Sequence, residues 1–361
     1  MELYTDLIAV VDLEEGDVEE VDIEEEFIEE NIGGAAANVA LLEEYPGSLV
    51  LGAGILTGTL FPGSAVGVVT AAKEGTVCHS AFNWFAGSEL KLSGFSFVVL
   101  KGKAETPVYL WLHDEIADIE PTDLWGKNTW ETTDYLRDEL GEDRIQTLVI
   151  GKGGENQSGA SLLVNNYWGC DDRNGLAGLL GERNVKAIAM RGMGEIEIAD
   201  PEAFVSKAED MLTHLKSKIS KKGAPINGLD EITQRYDACF NCPYPCRNFV
   251  ATGEEGVVIF GRHLNDLISA GLDIKTAAKT LQECYKLGVN PQYGKDPTSL
   301  VSAGLQPVQP LEGKEPWYYT IGVCPILDQF QITEDAVIDI INAGTDLGIT
   351  KEGLNDIVSR L

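Results

Sequence analysis

The sequence predicts an α+β protein, with a β-rich first part over residues 1–200 and a shortened, mostly helical second part over residues 201–361. Three observations carry that expectation. Short β-branched runs bounded by Gly, Pro or charge recur as far as Met190. After Asp200 the apolar residues switch to helical spacing. The 361 residues, 44% hydrophobic with 39 Gly and 14 Pro, supply enough apolar side chains for more than one core.

Taken in order, residues 12–30 alternate carboxylates with Val, Ile and Phe, and no Lys or Arg occurs before Lys73. That pattern suits a solvated outer face of strands or a helix, or an acidic docking surface. Residues 49–69 are apolar, but Gly52, Gly54, Gly58, Pro62, Gly63 and Gly67 divide them into short strands and turns. Residues 98–100, 108–112, 147–150 and 185–190 read as strands. Between them, Trp130, Tyr135, Leu136 and Leu140 mark a helix over 129–140 that Gly141 ends, and residues 175–180 form a second helix or turn. Pro201 opens a longer helix, whose stripe of Phe204, Ala208, Met211 and Leu215 runs to Ile219. Lysines over 216–222 lie at its C-terminal end, where positive charge is favoured. Further helices fit 276–287, 334–343 and 351–361, while 290–316 reads as loop.

Composition excludes some roles. With 27 Lys and Arg against 58 Asp and Glu, the net charge of -31 repels nucleic acid and anionic lipid. No stretch reaches the roughly 18 to 20 apolar residues of a membrane span. Glu2 and Asp6 stand where a secretory signal has positive charge, so a cytoplasmic protein is expected.

Seven cysteines, at 78, 170, 239, 242, 246, 284 and 324, argue by their odd number against a disulfide framework. Cys239, Cys242 and Cys246 form C-x2-C-x3-C, stiffened by Pro243 and Pro245. Thiolates so spaced can converge, and Cys324 in Ile-Gly-Val-Cys-Pro is the candidate fourth. Three local thiolates and a remote one suit a [4Fe-4S] cluster. Structural zinc, more often held by paired knuckles, and no metal at all are the alternatives. Cys284 reads as a packing residue in a helix, and Cys78 and Cys170 have no thiol neighbour in sequence. His79 beside Cys78 reads as a structural pair, because sequence neighbours rarely face each other. Gly33-Gly34 and Gly151-Lys152-Gly153-Gly154 lack phosphate-loop spacing and read as tight turns. His113, His214 and His263 are isolated.

The order of several further segments resembles the tungsten-dependent aldehyde ferredoxin oxidoreductase family along nearly the whole chain. They are Ile32-Gly33-Gly34, the Ala53-Gly54-Ile55-Leu56-Thr57-Gly58-Thr59 run, the Glu89-Leu90-Lys91-Leu92-Ser93-Gly94-Phe95 run, residues 101–110, residues 124–132, residues 174–181 and residues 184–188. The resemblance implies a β-rich base for a bis-pterin tungsten cofactor, covered by helical domains. It implies a [4Fe-4S] cluster on Cys239, Cys242, Cys246 and Cys324, and ferredoxin or another redox subunit as electron partner. It places Arg173, Asn174 and Gly175 at the pterin and Glu255 near the metal as a catalytic carboxylate.

The chain departs from that pattern. The two Asp-initiated segments that hold the pterins appear as Lys286-Leu287-Gly288-Val289-Asn290 and Tyr319-Thr320-Ile321-Gly322-Val323-Cys324, each without its Asp. Ala35 and Val66 stand where basic residues are expected, and residues 71–75 replace a conserved-type turn of the family. About thirty residues join the two segments, where the family carries a long helical stretch. The expectation is an electron-relay subunit with a [4Fe-4S] cluster and a degenerate tungstopterin site, acting beside a catalytic partner or as a homodimer. The alternatives are active tungsten-dependent oxidation of aldehydes to carboxylic acids, and a structural paralogue stapled by a metal.

Overall fold

In the computed structural model, which describes residues 2–361, the β-branched runs of the first part build two six-stranded sheets. The first contains β1 (Leu7–Asp12), β2 (Asp17–Asp22), β3 (Leu49–Ala53), β4 (Gly67–Lys73), β5 (Thr76–Phe82) and β6 (Phe95–Lys101), in the order β2-β1-β6-β3-β4-β5. Only β1 and β6 run parallel within it. The second contains β7 (Val108–His113), β8 (Ile116–Pro121), β9 (Gln146–Val149), β10 (Val164–Asn165), β11 (Trp168–Gly169) and β12 (Val185–Met190), ordered β11-β10-β9-β12-β7-β8.

Alternation along the strands decides which face meets which neighbour. Ala9, Val11, Leu49, Leu51, Val98 and Leu100 of the first sheet share one core with Leu110, Leu112, Leu148 and Ile188 of the second. Their alternates Ile8, Val10, Val50, Phe97 and Val99 face the other way, into a core built with helices. A sheet buried on both faces explains why its strands read as nearly unbroken apolar runs. The acidic β2 is an edge strand with mostly exposed side chains, as expected of a solvated outer face.

Six helices punctuate this part: α1 (Glu25–Asn31), α2 (Gly34–Glu44), α3 (Ala86–Leu92), α4 (Thr129–Leu140), α5 (Lys152–Glu155) and α6 (Ala177–Glu182). The bounds of α4 are those the spacing predicts. Asn128 and Glu131 form a capping box at its start, and Gly141 at φ 69° ends it.

The second part begins with α7 (Pro201–Lys218), capped by the Asp200 side chain. A small antiparallel sheet follows, β13 (Thr233–Asp237), β14 (Arg247–Ala251) and β15 (Gly256–Ile259). It was not legible as sheet, because β13 is polar and largely exposed and β15 has four residues. Then come α8 (Gly261–Ser269), α9 (Ile274–Leu287), α10 (Pro297–Leu300), α11 (Glu315–Ile321), α12 (Glu334–Gly344) and α13 (Lys351–Val358). The expected loop over 290–316 is irregular except for α10, a 3-10 turn at Pro291–Tyr293 and the first two residues of α11. Phe204, Met211 and Leu215 of α7 and Val337 and Ile341 of α12 cover the helix-facing side of the first sheet. Among the described residues no helix is long and apolar enough to cross a membrane.

Candidate metal centre

The C-x2-C-x3-C segment is the loop of the β13–β14 hairpin. Inside it, the Cys242 amide donates to the Cys239 carbonyl (3.1 Å) and the Cys246 amide to the Tyr244 carbonyl (2.8 Å). Asn241 turns the loop from the left-handed region at φ 48°, which Asn tolerates better than most residues. Its side-chain amide donates to the Leu60 carbonyl (2.7 Å). The Phe240 amide donates to the Trp84 carbonyl (2.9 Å). The loop is thereby tied to two connections of the first sheet, those after β3 and after β5.

Cys324 arrives by a different route. Helix α11 ends at Gly322, at φ 81°, and two residues later the Cys324 amide donates to the Gly63 carbonyl (3.1 Å). The Gly63 amide in turn donates to the Asn241 carbonyl (3.0 Å). One residue of the β3–β4 connection therefore holds the triplet on its N–H and the remote cysteine on its C=O. Gly63 sits at φ 81°, where a side chain is strained, and a Cβ there would also lie 2.3 Å from Leu327 Cδ1. The same connection grips the end of α11: Leu56 donates to the Ile321 carbonyl (3.0 Å) and Val66 to that of Gly322 (3.3 Å).

Cys239, Cys242, Cys246 and Cys324 line one small cavity. Burial, then the neighbouring sulfurs of Cys239 and Cys246, push the Cys242 thiol up to about 12. Burial likewise raises Cys246 to about 11 and Cys324 well above the ordinary thiol range. Cys78 and Cys170 are buried in the sandwich core, and Cys284 on α9 is buried against Ala160, Val289 and Leu300. Among the described residues, no group of three or more His, Cys, Asp or Glu side chains is arranged to hold a metal ion.

Arg247, the first residue of β14, lines the same cavity and is 3% exposed. Its guanidinium lies 4.8 Å from the Trp84 ring and 5.2 Å from that of Phe260, and Nη2 donates to Asn83 Oδ1 (2.8 Å). Nε and Nη1 have no hydrogen-bond partner. Burial opposes its charge, but the sulfurs of Cys239 and Cys246, Tyr285 and Cys324 together hold its pKa above the usual arginine value. A buried cation with two idle donors is costly unless an anion sits beside it. The donor set of four thiols and one unmatched guanidinium fits a thiolate-bound, negatively charged iron–sulfur cube, which is wider than a single ion.

A larger cavity of about 540 Å³ adjoins the first and shares Cys246, Cys324, Val66 and Asn83 with it. The residues assigned to a pterin by resemblance are for the most part engaged by other groups of the chain. Arg173 pairs with Glu315 (2.6 Å) and Asp171 (3.5 Å), while its Nη1 has no hydrogen-bond partner and lies 3.8 Å from Glu312 Oε2. The Asn174 side chain both donates to and accepts from the backbone of Gln309 (3.0 and 2.8 Å). The Gly175 carbonyl accepts from Ser161 Oγ (3.0 Å). Ala35 and Val66, at the positions of the missing cations, pack with Val68, Ala81 and Tyr319 into an apolar cluster. A Cβ on Gly34 would lie 1.9 Å from the Tyr319 carbonyl oxygen, so the glycine pair is filled by α11. The cavity wall carries Asp171, Asp266 and Glu315 against Arg262. A phosphate-bearing pterin needs free cations and donors, and these residues do not fit one.

Glu255 is not brought to either cavity. It lies in the β14–β15 turn, half exposed, accepting from Lys286 Nζ (2.6 Å) and Gln282 Nε2 (2.6 Å). His79 and Cys78 are successive residues of β5 and do not meet: Cys78 joins the sandwich core, while His79 Nδ1 contacts Thr70 Oγ1 (3.0 Å). Sequence reasoning missed Arg247, Gly63 and Asn241. A cation directly after the third cysteine was a readable signal for the first; the other two act through remote partners and gave none.

Residues 8–192 match the family model of the aldehyde ferredoxin oxidoreductase N-terminal domain. The tungsten-containing aldehyde ferredoxin oxidoreductase of Pyrococcus abyssi is 32% identical over 205 residues, 56% of this chain and 33% of that protein. The Pyrococcus furiosus enzyme of the same description is also 32% identical, over 56% of this chain and 34% of its own. A WOR-like subunit of aliphatic sulfonate oxidoreductase from Pyrococcus furiosus is 30% identical over 41% of this chain and 27% of its own. Among solved structures, the active-site complex BamBC of benzoyl coenzyme A reductase with 1,5-dienoyl-CoA contains a chain of the same fold. It superposes with a TM-score of 0.75 at 20% identity, covering 99% of this chain and 64% of that one. The fold and the matched sequence define an oxidoreductase-type β-base with an attached helical part. The chain belongs to the aldehyde ferredoxin oxidoreductase family, and the matched region spans about a third of the length of these curated relatives.

Proposed function

We propose that the chain is an electron-relay protein of this family, holding one [4Fe-4S] cluster on Cys239, Cys242, Cys246 and Cys324 and exchanging electrons with a redox protein. The observation that carries the reading is the pair of idle donors on Arg247, a buried residue that lines the cavity together with the four thiols. Such a cluster stores and passes one electron at a time. The chain's own residues do the rest. The Gly63 peptide fixes the remote thiol against the triplet, Arg247 offsets negative charge, and Val66, Ile326 and Leu327 supply apolar walls beside the sulfurs. Aldehyde oxidation at a tungstopterin is not part of the proposal, because Arg173 and Asn174 are committed to Glu315, Asp171 and Gln309.

Metal and sulfide analysis of protein purified without oxygen tests this. The expected result is about four iron and four sulfide per chain, a broad brown absorbance that dithionite bleaches, and loss of both in Cys242→Ser and Cys324→Ser. Zinc in place of iron would assign the thiols to a structural staple, and stoichiometric tungsten would restore the enzymatic reading; either result overturns the proposal.

A further inference from the structure

The strongest feature outside the two cavities is a run of four lysines. Lys216, Lys218, Lys221 and Lys222 fall within seven residues, and outside that segment no seven-residue window holds more than two Lys or Arg. Residues 211–229 contain no Asp or Glu, in a chain that carries 58 of them. All four lysines are exposed, and among the described residues none is paired with a carboxylate. In a protein of net charge -31 a free cationic strip is the exception.

Its position is specific. The strip runs from the end of α7 into Gly223, whose amide donates to the Pro245 carbonyl (2.7 Å) and whose carbonyl accepts from the Tyr244 hydroxyl (3.0 Å). Both partners lie inside the cysteine loop. Ala224 and Pro225, the next residues, line the large cavity together with Cys246 and Cys324. On the other side, His214 of α7 hydrogen-bonds the Phe330 carbonyl (2.9 Å), at the end of the 3-10 turn Pro325–Phe330 that follows Cys324. The lysines are thus anchored to both chain segments that carry the candidate ligands.

We propose that the 216–222 strip is the docking surface for an acidic electron-transfer protein, guiding it to the cysteine loop. The inference rests on the electron-relay reading and deepens it. Charge complementarity selects the partner: an acidic protein is repelled by the rest of this surface and attracted here, which orients as well as accelerates encounter. Nucleic acid and anionic membranes offer negative charge too, but over areas large enough to meet the surrounding carboxylates. The reaction is a single-electron exchange. The partner's reduced cluster is oxidised by one electron as the cluster of this chain is reduced by one, with no bond made or broken.

The test follows the absorbance of the holoprotein as it is reduced by a purified acidic ferredoxin, in stopped flow between 50 and 500 mM NaCl, over which the Debye length shortens about threefold. The parent is expected to slow at least tenfold over that range. Replacing all four lysines with Glu should lower the low-salt rate at least tenfold and reverse the salt dependence, so that added salt speeds the reaction, and replacing them with Gln should give an intermediate rate. Reduction by dithionite, which needs no docking, should be unchanged. Equal rates and salt slopes in parent and variants, with the cluster intact, overturn the docking surface and leave the relay standing. A parent without iron and sulfide overturns the relay itself and the inference with it. Lysine-dependent cosedimentation with phosphatidylglycerol vesicles, without any effect on ferredoxin rates, reassigns the strip to a membrane and likewise overturns the proposal.

Discussion

At the residue scale, Arg247 carries most of the argument, and its charge has a measurable consequence. A cation beside a centre that becomes more negative on reduction stabilises the reduced form. Arg247→Gln should therefore shift the midpoint potential negative, on the order of 100 mV for one unit charge a few Å away at an effective dielectric near 20. Arg247→Lys should recover much of that shift, and equal potentials in all three proteins would assign the guanidinium a packing role against Trp84 and Phe260. The triplet Cys239, Cys242 and Cys246 was legible from spacing, because its loop turns locally around two prolines, whereas Cys324 reaches the same cavity through a remote contact with Gly63. The roles of Arg173 and Glu255 were not legible. Whether a charged side chain is free or consumed depends on partners such as Glu315 and Lys286, which lie 142 and 31 positions away in sequence.

At the scale of elements, the turn at the end of α11 decides where Cys324 sits. Gly322 needs φ 81°, and a Cβ there would fall 2.0 Å from Thr57 Oγ1, itself bonded to the Gly54 amide (2.9 Å) and the Val66 carbonyl (2.6 Å). Gly322→Ala combines left-handed strain with a clash against a fixed side chain. It should cost ~3 kcal/mol, read as a lower urea midpoint, and should reduce iron content. Unchanged iron with normal stability would show that the turn has slack. The helix α4 and the strands β7 and β12 were readable because pattern and caps agree locally. The β13–β15 sheet was not, since its polar strands owe their existence to the hairpin that the cysteine loop closes and to the core of α8 and α9 beneath it.

For the molecule as a whole, acid is the exposed flank. Burial holds His79 down at about 4 and His263 at about 3. Above the ordinary histidine value near 6.5 both are neutral whether the chain is folded or not, so their stability contribution is fully present. As pH falls below that value the unfolded chain takes up protons the folded one resists, and stability is lost down to about 4 for His79 and about 3 for His263. Urea unfolding between pH 7 and pH 4 should therefore show a shallower loss in His79→Gln than in the parent, by about 3 kcal/mol over the range. Parallel profiles would mean that carboxylates alone set the limit. The β-first, helix-later division was legible because period and composition both change near residue 200, but the joining of the two was not, because a periodic pattern names a buried face without naming what covers it.

That joining has a consequence for how such a chain can be shortened. Ile8, Val10, Val50 and Val99 lie on the side of the first sheet that Phe204, Trp317, Ile341 and Ile357 cover. A cut made where the family match stops would strip the roof from a wholly greasy wall, and the bared surface would seek another molecule of its own kind. Any shortening that leaves this sheet buried has to keep the last helices, which close the wall.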